Sequence, residues 1–183
     1  MHGALIRLSG ATGLGCWRCS WSRPARFPSR LSANSATCST RRAKTRITIK
    51  VRLQSQPWHM YSGVIVRCIL AASTLEGGKT AAKSVMAAVA AHREEFEFDR
   101  HCSGPNLDAT PNDIIRRIER YSGVKLAEAF AIPDLDREAK WHCRYARQNG
   151  IHVSPSFMID GLIQPDMSSG DPAADWVARL SDH

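Results

Sequence analysis

The chain has 183 residues, and its hydrophobic fraction of 43% is sufficient for the core of one domain with an insertion. Its net charge of +8 is unevenly distributed, because residues 1–75 contain 12 Lys and Arg and no Asp or Glu, whereas residues 76–183 carry a net charge of −4. The basic residues are not accompanied by a nucleic-acid recognition motif. The best candidate for a membrane span is the apolar run Val64–Leu75, which is too short to cross a membrane. The composition therefore argues against a nucleic-acid-binding domain and against a membrane-spanning protein.

Residues 1–44 differ from residues 45–183, and we interpret them as a basic leader or a divergent N-terminus of low order. Their richness in Arg and Ser is typical of a mitochondrial transit peptide, although four glycines interrupt an amphipathic helix. A divergent or wrongly spliced replacement for an original strand and helix is the alternative. Ala4–Leu8 could also serve as the strand that precedes the C-x-x-C motif of residues 16–19. No apolar stretch of the length found in a secretory signal follows the start. The sequence predicts a cytoplasmic or mitochondrial protein and leaves these two open.

The same segment contains Cys16-Trp17-Arg18-Cys19, a C-x-x-C motif. When this spacing begins a helix, the first thiol is exposed, the second reaches back to it, and the helix N-terminus stabilises the thiolate. Arg18 would act in the same direction. Pro24 and Pro28, however, prevent one continuous helix after the motif. Both a working redox pair and a chance pair are therefore compatible with these residues.

The rest of the chain shows one clear strand followed by helical patterns. Strict alternation of apolar and polar residues over Thr45–Leu53 predicts a strand with one buried face. Thr110-Pro111 and Asp113 form the signature of a helix start. The predicted helices are Met60–Leu75, Lys79–His92, a helix from the Thr110 cap to Tyr121, Lys125–Phe130, Asp134–Gln148 and Ala173–Leu180, the last capped by Asp171-Pro172.

Residues 150–161 contain the clearest strand and turn signals in the second half of the chain. Pro155 has no backbone N–H and therefore belongs at a strand entrance, and Ser156–Ile159 follows as the strand. Asp160-Gly161 favours a type I′ hairpin turn, after which Leu162–Gln164 returns as a second strand. The sequence thus predicts a β-hairpin that begins at a proline.

The segment Val153-Ser154-Pro155-Ser156-Phe157-Met158-Ile159-Asp160-Gly161 resembles the cis-proline hairpin of thioredoxin-like proteins, most closely the DsbA-like family. The resemblance covers about residues 45–180. It implies an α/β thioredoxin-like mixed sheet with a helical insertion over about residues 60–149, a cis bond before Pro155, and a site that faces the backbone there. The N-terminal strand and first helix would be missing or disordered if residues 1–44 are a leader.

The resemblance further implies thiol–disulfide exchange with protein thiols or with glutathione as a substrate. Cys16 would be the nucleophile and Cys19 would be the resolving thiol. The substrate would bind against the backbone of Ser154-Pro155. The alternative is a redox-inert thioredoxin-fold binding or scaffold protein without a competent cysteine pair. Whether the chain is an enzyme therefore stays open at the level of sequence.

No metal or cofactor is expected. The dipeptides His101-Cys102 and His142-Cys143 lack the paired spacing of zinc ligands, and adjacent helical residues point about 100° apart. The sequence also lacks a phosphate-binding glycine loop and a serine nucleophile motif. Cys68 and Cys143 lie in helical patterns, where we expect small buried hydrophobic residues and not a disulfide framework.

Overall fold

The computed structural model describes residues 5–9, 48–55, 59–98 and 103–180. The chain divides into two compact units. One unit comprises Met1–Gln54 with Ala146–His183, and the other comprises Ser55–Tyr145. We call them the sheet unit and the helical unit.

A four-stranded mixed sheet forms the sheet unit. Its strands are β1 (Leu5–Ser9), β2 (Thr48–Arg52), β3 (Ser156–Ile159) and β4 (Leu162–Ile163), in the spatial order β2-β1-β3-β4. β1 and β2 are parallel, whereas β3 is antiparallel to both β1 and β4. The predicted mixed sheet is therefore confirmed. β1 lies inside residues 1–44, one residue from the candidate strand Ala4–Leu8, and the leader boundary itself stays a prediction.

The hairpin of β3 and β4 has the predicted turn. Asp160 and Gly161 both adopt positive φ, at 49° and 92°, as the central residues of a type I′ turn require. All four residues of β3 are buried. The Phe157 ring packs against the Trp176 ring of the C-terminal helix at a centroid distance of 5.3 Å. This apolar contact holds the hairpin on the core of the sheet unit.

The prediction that Asp171 caps the C-terminal helix is wrong. The helix spans Ala173–Arg179, its N-cap residue is Pro172, and no side chain caps it. Asp171 accepts a hydrogen bond from the Ser168 backbone N–H at 2.7 Å, because the chain turns back between these residues. The carboxylate therefore stabilises the loop that leads to the helix.

Between β2 and β3 the described segments are mainly helical, with one isolated β-bridge at Ser103. The elements are α1 (Ser62–Thr74), α2 (Gly78–Ala91), a 3-10 turn (Arg93–Phe96), α3 (Pro111–Ser122), α4 (Ala127–Phe130) and α5 (Asp134–Gln148), and we number Ala173–Arg179 as α6. The capping box predicted at the start of α3 is present, with Thr110 and Asp113 exchanging hydrogen bonds. Within the described segments, none of the helices has the length and apolarity needed to span a bilayer.

The turn between α1 and α2 depends on two glycines. Gly77 adopts a positive φ of 68°, and Gly78 begins α2 against the Ser73 carbonyl oxygen. A β-carbon at Gly78 would collide with this backbone oxygen, which cannot move away as a flexible side chain could. The close approach of the two helices at this turn therefore requires glycine at position 78.

We expect Gly78→Ala to lower the free energy of unfolding by about 2 kcal/mol or more, since overpacking typically costs 1–3 kcal/mol. Gly63→Ala is the matched control, because its nearest neighbour is the Ser55 Oγ atom at 3.9 Å. Alanine at this helical position should stabilise the fold by about 0.5 kcal/mol. Urea denaturation of both variants provides the measurement, and equal destabilisation would contradict the collision.

A buried polar cluster fixes the loop that leads to α3. The Asn106 amide donates to the carbonyl oxygens of Glu94 and Glu97 at 2.8 and 2.6 Å, and its own oxygen accepts from Arg117 at 2.7 Å. Close by, the Arg93 guanidinium contacts the Glu97 carboxylate at 2.6 Å. Burial raises the pKa of Glu97 to about 7 although Arg93 acts in the opposite direction. The carboxylate is therefore held in an unfavourable environment at neutral pH.

This raised pKa gives a pH-dependent stability. Between about pH 4.5 and 7 the folded state binds a proton at Glu97 that the unfolded state releases, so this group lowers stability as the pH rises. We expect Glu97→Gln to gain about 1–2 kcal/mol relative to the wild type between pH 4.5 and 8. Denaturation at both pH values tests this, with exposed Glu128→Gln as the control, because Glu128 does not contribute to the raised pKa of Glu97. A wild-type profile parallel to that of Glu97→Gln would refute it.

Candidate active site at the Pro155 edge of the sheet

The sheet topology places Pro155 at the edge where the two parallel strands end. Ser9, the last residue of β1, lies opposite Arg52 of β2 on one side and opposite Ser156 of β3 on the other. Because β3 runs antiparallel to β1, its first residue lies at the carboxyl end of β1. Ser154-Pro155, directly before β3, therefore stands at the edge of an α/β sheet where ligands commonly bind.

The loop before β3 exposes His152 and Val153 and buries the residues directly before and after Pro155. Val153 is 71% exposed and His152 is exposed, whereas Ser154 and Ser156 are buried and Pro155 is half-buried. The Ser154–Pro155 peptide bond is cis. The loop thus presents an apolar side chain to solvent directly beside a backbone that is anchored to the sheet.

The Ser156 hydroxyl anchors this loop. It donates a hydrogen bond of 2.7 Å to the Val153 carbonyl oxygen across the intervening Ser154-Pro155. Ser156 itself is fixed by its place in the ladder opposite Ser9, and the Gln164 N–H donates to the Phe157 carbonyl oxygen at 2.9 Å on the other side. The geometry of the loop is therefore determined by one side-chain bond and two strand neighbours. Sequence reasoning missed this role of Ser156, although a hydroxyl residue directly after Pro155 was the available signal.

The structure describes neither Cys16 nor Cys19, and Cys38 and Cys102 also lie outside the described residues. The assignment of Cys16 and Cys19 as catalytic residues therefore stays a prediction. Of the predicted site residues, Ser154 and Pro155 are described, and they lie together at the sheet edge.

The two cysteines that the structure describes are free thiols of the helical unit. Cys68 of α1 is fully buried, and this burial is the main reason that its pKa is raised to about 12. Its thiol is protonated at neutral pH and is a poor nucleophile. Cys143 of α5 is half-buried. The prediction of a buried, small hydrophobic residue thus holds fully for Cys68 and less completely for Cys143.

Two histidines, His59 and His142, belong to the helical unit. Desolvation, with a smaller effect of Arg93, lowers the pKa of His59, which favours its neutral form. The buried His142 contacts the Glu138 carboxylate at 3.2 Å on the same helix. Among the described side chains, no group of three His, Cys, Asp or Glu residues could hold a metal ion.

The chain matches no protein-family model and no curated protein sequence. It is similar to a crystal structure described as a "putative protein-disulfide isomerase" from Pseudomonas syringae, with 57% identity and a TM-score of 0.84, over 98% of this chain and 94% of that chain. DsbA from Xylella fastidiosa, an oxidoreductase, aligns at 14% identity and a TM-score of 0.58, over 98% and 83% of the two chains. A thioredoxin-like oxidoreductase from Silicibacter pomeroyi DSS-3 aligns at 17% identity and a TM-score of 0.59, over 99% of this chain and 88% of that chain.

These likenesses, together with the mixed sheet and the helices between β2 and β3, define a thioredoxin-like fold. The chain belongs to the family of the Pseudomonas syringae protein, to which it is 57% identical over 98% of its length. The resemblance to DsbA-like proteins of the thioredoxin fold, inferred from the Pro155 hairpin, is thereby confirmed.

The anchoring bond gives a prediction for the loop. Ser156→Ala removes the donor to the Val153 carbonyl oxygen, so amides of residues 152–154 should exchange with solvent faster and stability should fall by about 1 kcal/mol. Ser156→Thr keeps the hydroxyl and should restore protection.

Hydrogen exchange with mass spectrometry measures both variants. Exposed Ser168→Ala serves as a control in a different loop of the sheet unit. Unchanged exchange at residues 152–154 in Ser156→Ala would show that the hydroxyl does not hold the loop.

Proposed function

We propose that the protein is a thiol–disulfide oxidoreductase that acts on protein thiols, with Cys16 as nucleophile and Cys19 as resolving thiol. The observation that carries the proposal is the 57% identity, over 98% of the chain, to a protein described as a putative disulfide isomerase. The position of Ser154-Pro155 at the carboxyl edge of β1 supports it, because the chain leaves β1 at that edge and continues toward the C-x-x-C motif.

The chain segment between the end of β1 and the C-x-x-C motif is short. Cys16 follows Ser9 by seven residues, and a chain extends at most about 3.3–3.6 Å per residue, which limits their separation to about 25 Å. Ser9 lies opposite Ser156, next to Pro155 in the chain. This connection allows the Cys16 sulfur to reach the loop at Val153–Pro155 and gives the proposal its geometric support.

In the proposed reaction, the Cys16 thiolate attacks one sulfur of a substrate disulfide. The substrate S–S bond breaks, a mixed disulfide with Cys16 forms, and the leaving substrate thiolate takes up a proton. The Cys19 thiolate then attacks the Cys16 sulfur and releases the second substrate thiolate, which is protonated in turn. The substrate disulfide is reduced by two electrons and the Cys16–Cys19 pair is oxidised; the reverse sequence oxidises a substrate dithiol.

The loop would hold the substrate segment during these two steps. A peptide backbone that docks in extended form beside Ser154-Pro155 would place one side chain against the exposed Val153. The anchored geometry lowers the ordering cost of binding, since the loop is already fixed by Ser156. Glutathione is a second proposed substrate, because its cysteinyl backbone could occupy the same edge.

A redox-inert binding protein is the competing function. Pro24 and Pro28 favour it, because they interrupt the helix that should support a reactive C-x-x-C motif. Such a protein would keep the Pro155 edge for binding without any chemistry. Cleavage of a mitochondrial leader after Cys19 would remove the pair, but it would also remove β1 from the sheet. Mass spectrometry of the N-terminus of the protein isolated from cells detects such cleavage.

Insulin reduction by the full chain in the presence of a dithiol distinguishes the two functions. We expect catalysis by the wild type and a fall to the uncatalysed rate in Cys16→Ser, because this variant lacks the nucleophile. Cys143→Ser is the matched control and should keep the wild-type rate. Replacing the dithiol by glutathione tests the second substrate. If wild type and Cys16→Ser are equally slow, the oxidoreductase proposal is wrong.

A further inference from the structure

One face of α5 combines positive charge with an exposed aromatic ring. Arg137, Lys140, Trp141 and Arg144 follow the spacing i, i+3, i+4 and i+7, which places them on a common helix face. All four are exposed, and Trp141 is 41% exposed. We call these four residues the basic patch.

The acidic residues of α5 do not neutralise the C-terminal half of this patch. Asp134 pairs with Arg137 at 3.2 Å, Asp136 pairs with Arg67, and Glu138 contacts His142 at 3.2 Å. All three lie in the first turns of the helix. After Glu138 the chain contains no Asp or Glu until Asp160, so the Lys and Arg residues of α5 that follow Glu138 have no acidic residue among them on this helix.

The β3–β4 hairpin has the opposite character. Asp160, Leu162, Ile163 and Asp166 are all exposed, with Leu162 at 65% and Ile163 at 41%. No Lys or Arg occurs between residues 148 and 178, which include four Asp. β4 is also an edge strand of the described sheet. We call these four hairpin residues the acidic patch.

We infer that the basic patch of one copy of this chain docks on the acidic patch of a second copy. Each patch has an exposed apolar centre with charge of one sign beside it, and the two signs are opposite. Association would bury Trp141 against Leu162, the more exposed of the two neighbouring β4 side chains, and would bring Lys140 and Arg144 near the carboxylates of Asp160 and Asp166. Exposed apolar side chains of this size on an edge hairpin are a liability unless a partner covers them.

A second copy explains both surfaces with one contact. An acidic polypeptide or an anionic membrane would match the basic patch but would leave Leu162 and Ile163 exposed.

Sedimentation equilibrium of the full chain tests the inference, in a reducing buffer that prevents disulfide-linked association. We expect self-association that weakens with salt, and at least a tenfold higher dissociation constant for Lys140→Glu/Arg144→Glu, because like charges would face each other. Lys79→Glu/Lys83→Glu is the matched control, since these exposed lysines of α2 have the same spacing and charge. It should change the constant by less than about twofold.

A charge swap provides the decisive comparison. Asp160→Asn/Asp166→Lys should also weaken association, and asparagine is chosen because it tolerates the positive φ at position 160. Combining all four substitutions should restore affinity to within about threefold of the wild type, since opposite charges face each other again. Circular dichroism verifies that each variant is folded.

A wild type that stays monomeric, or association that the charge reversals leave unchanged, would overturn the inference. So would a monomer whose Lys140 and Arg144 bind an acidic peptide or anionic phospholipid vesicles. Failure of the four-substitution variant to regain affinity would show that the two patches do not face each other. None of these outcomes depends on Cys16, so they are independent of the proposed oxidoreductase activity.

Discussion

The pairing of β1 with β3 is the constraint on which the site depends. It sets Ser9 opposite Ser156 and thereby brings the carboxyl end of β1 to the loop that contains Pro155. A shift of one residue would move Phe157 to the opposite face of the sheet, where it would lose its contact with Trp176. The packing of Phe157 on Trp176 therefore favours the observed register, and the register fixes the position of the candidate active site.

The loop at Pro155 is held by polar contacts, whereas the strand after it is held by apolar ones. The Ser156 hydroxyl and the backbone ladder determine the path of the chain from Val153 into β3, and the core determines where β3 lies. This division leaves Val153 and His152 on the surface beside an immobilised backbone. Such an edge suits the recognition of an extended peptide, in which backbone contacts give affinity and an exposed side chain contributes selectivity.

Local signals in the sequence predicted individual elements well. α5 begins at Asp134 and ends at Gln148 as predicted, because an acidic first turn starts it and Asn149-Gly150 stops it, with Gly150 at positive φ. The Thr110 cap and the Asp160-Gly161 turn are equally local. The role of Asp171 was mistaken because the competing bond to Ser168 depends on a loop conformation that the capping pattern does not contain. The pairing of β1 with both β2 and β3 is non-local, and periodicity alone could not establish it.

The site was predictable in part for the same reason. Pro155 and the hairpin were recognisable because their signature lies within nine consecutive residues, whereas the contribution of Cys16 depends on a contact between distant parts of the chain. Disulfide trapping measures this contact most directly: Val153→Cys is combined with Cys19→Ser, the protein is oxidised, and the linked peptides are identified by mass spectrometry. A disulfide requires Cα atoms within about 7 Å. The account predicts rapid linkage of Cys16 to position 153, and a Cys16 thiol that stays free, or links at the same rate to Cys38 or Cys102, would contradict it.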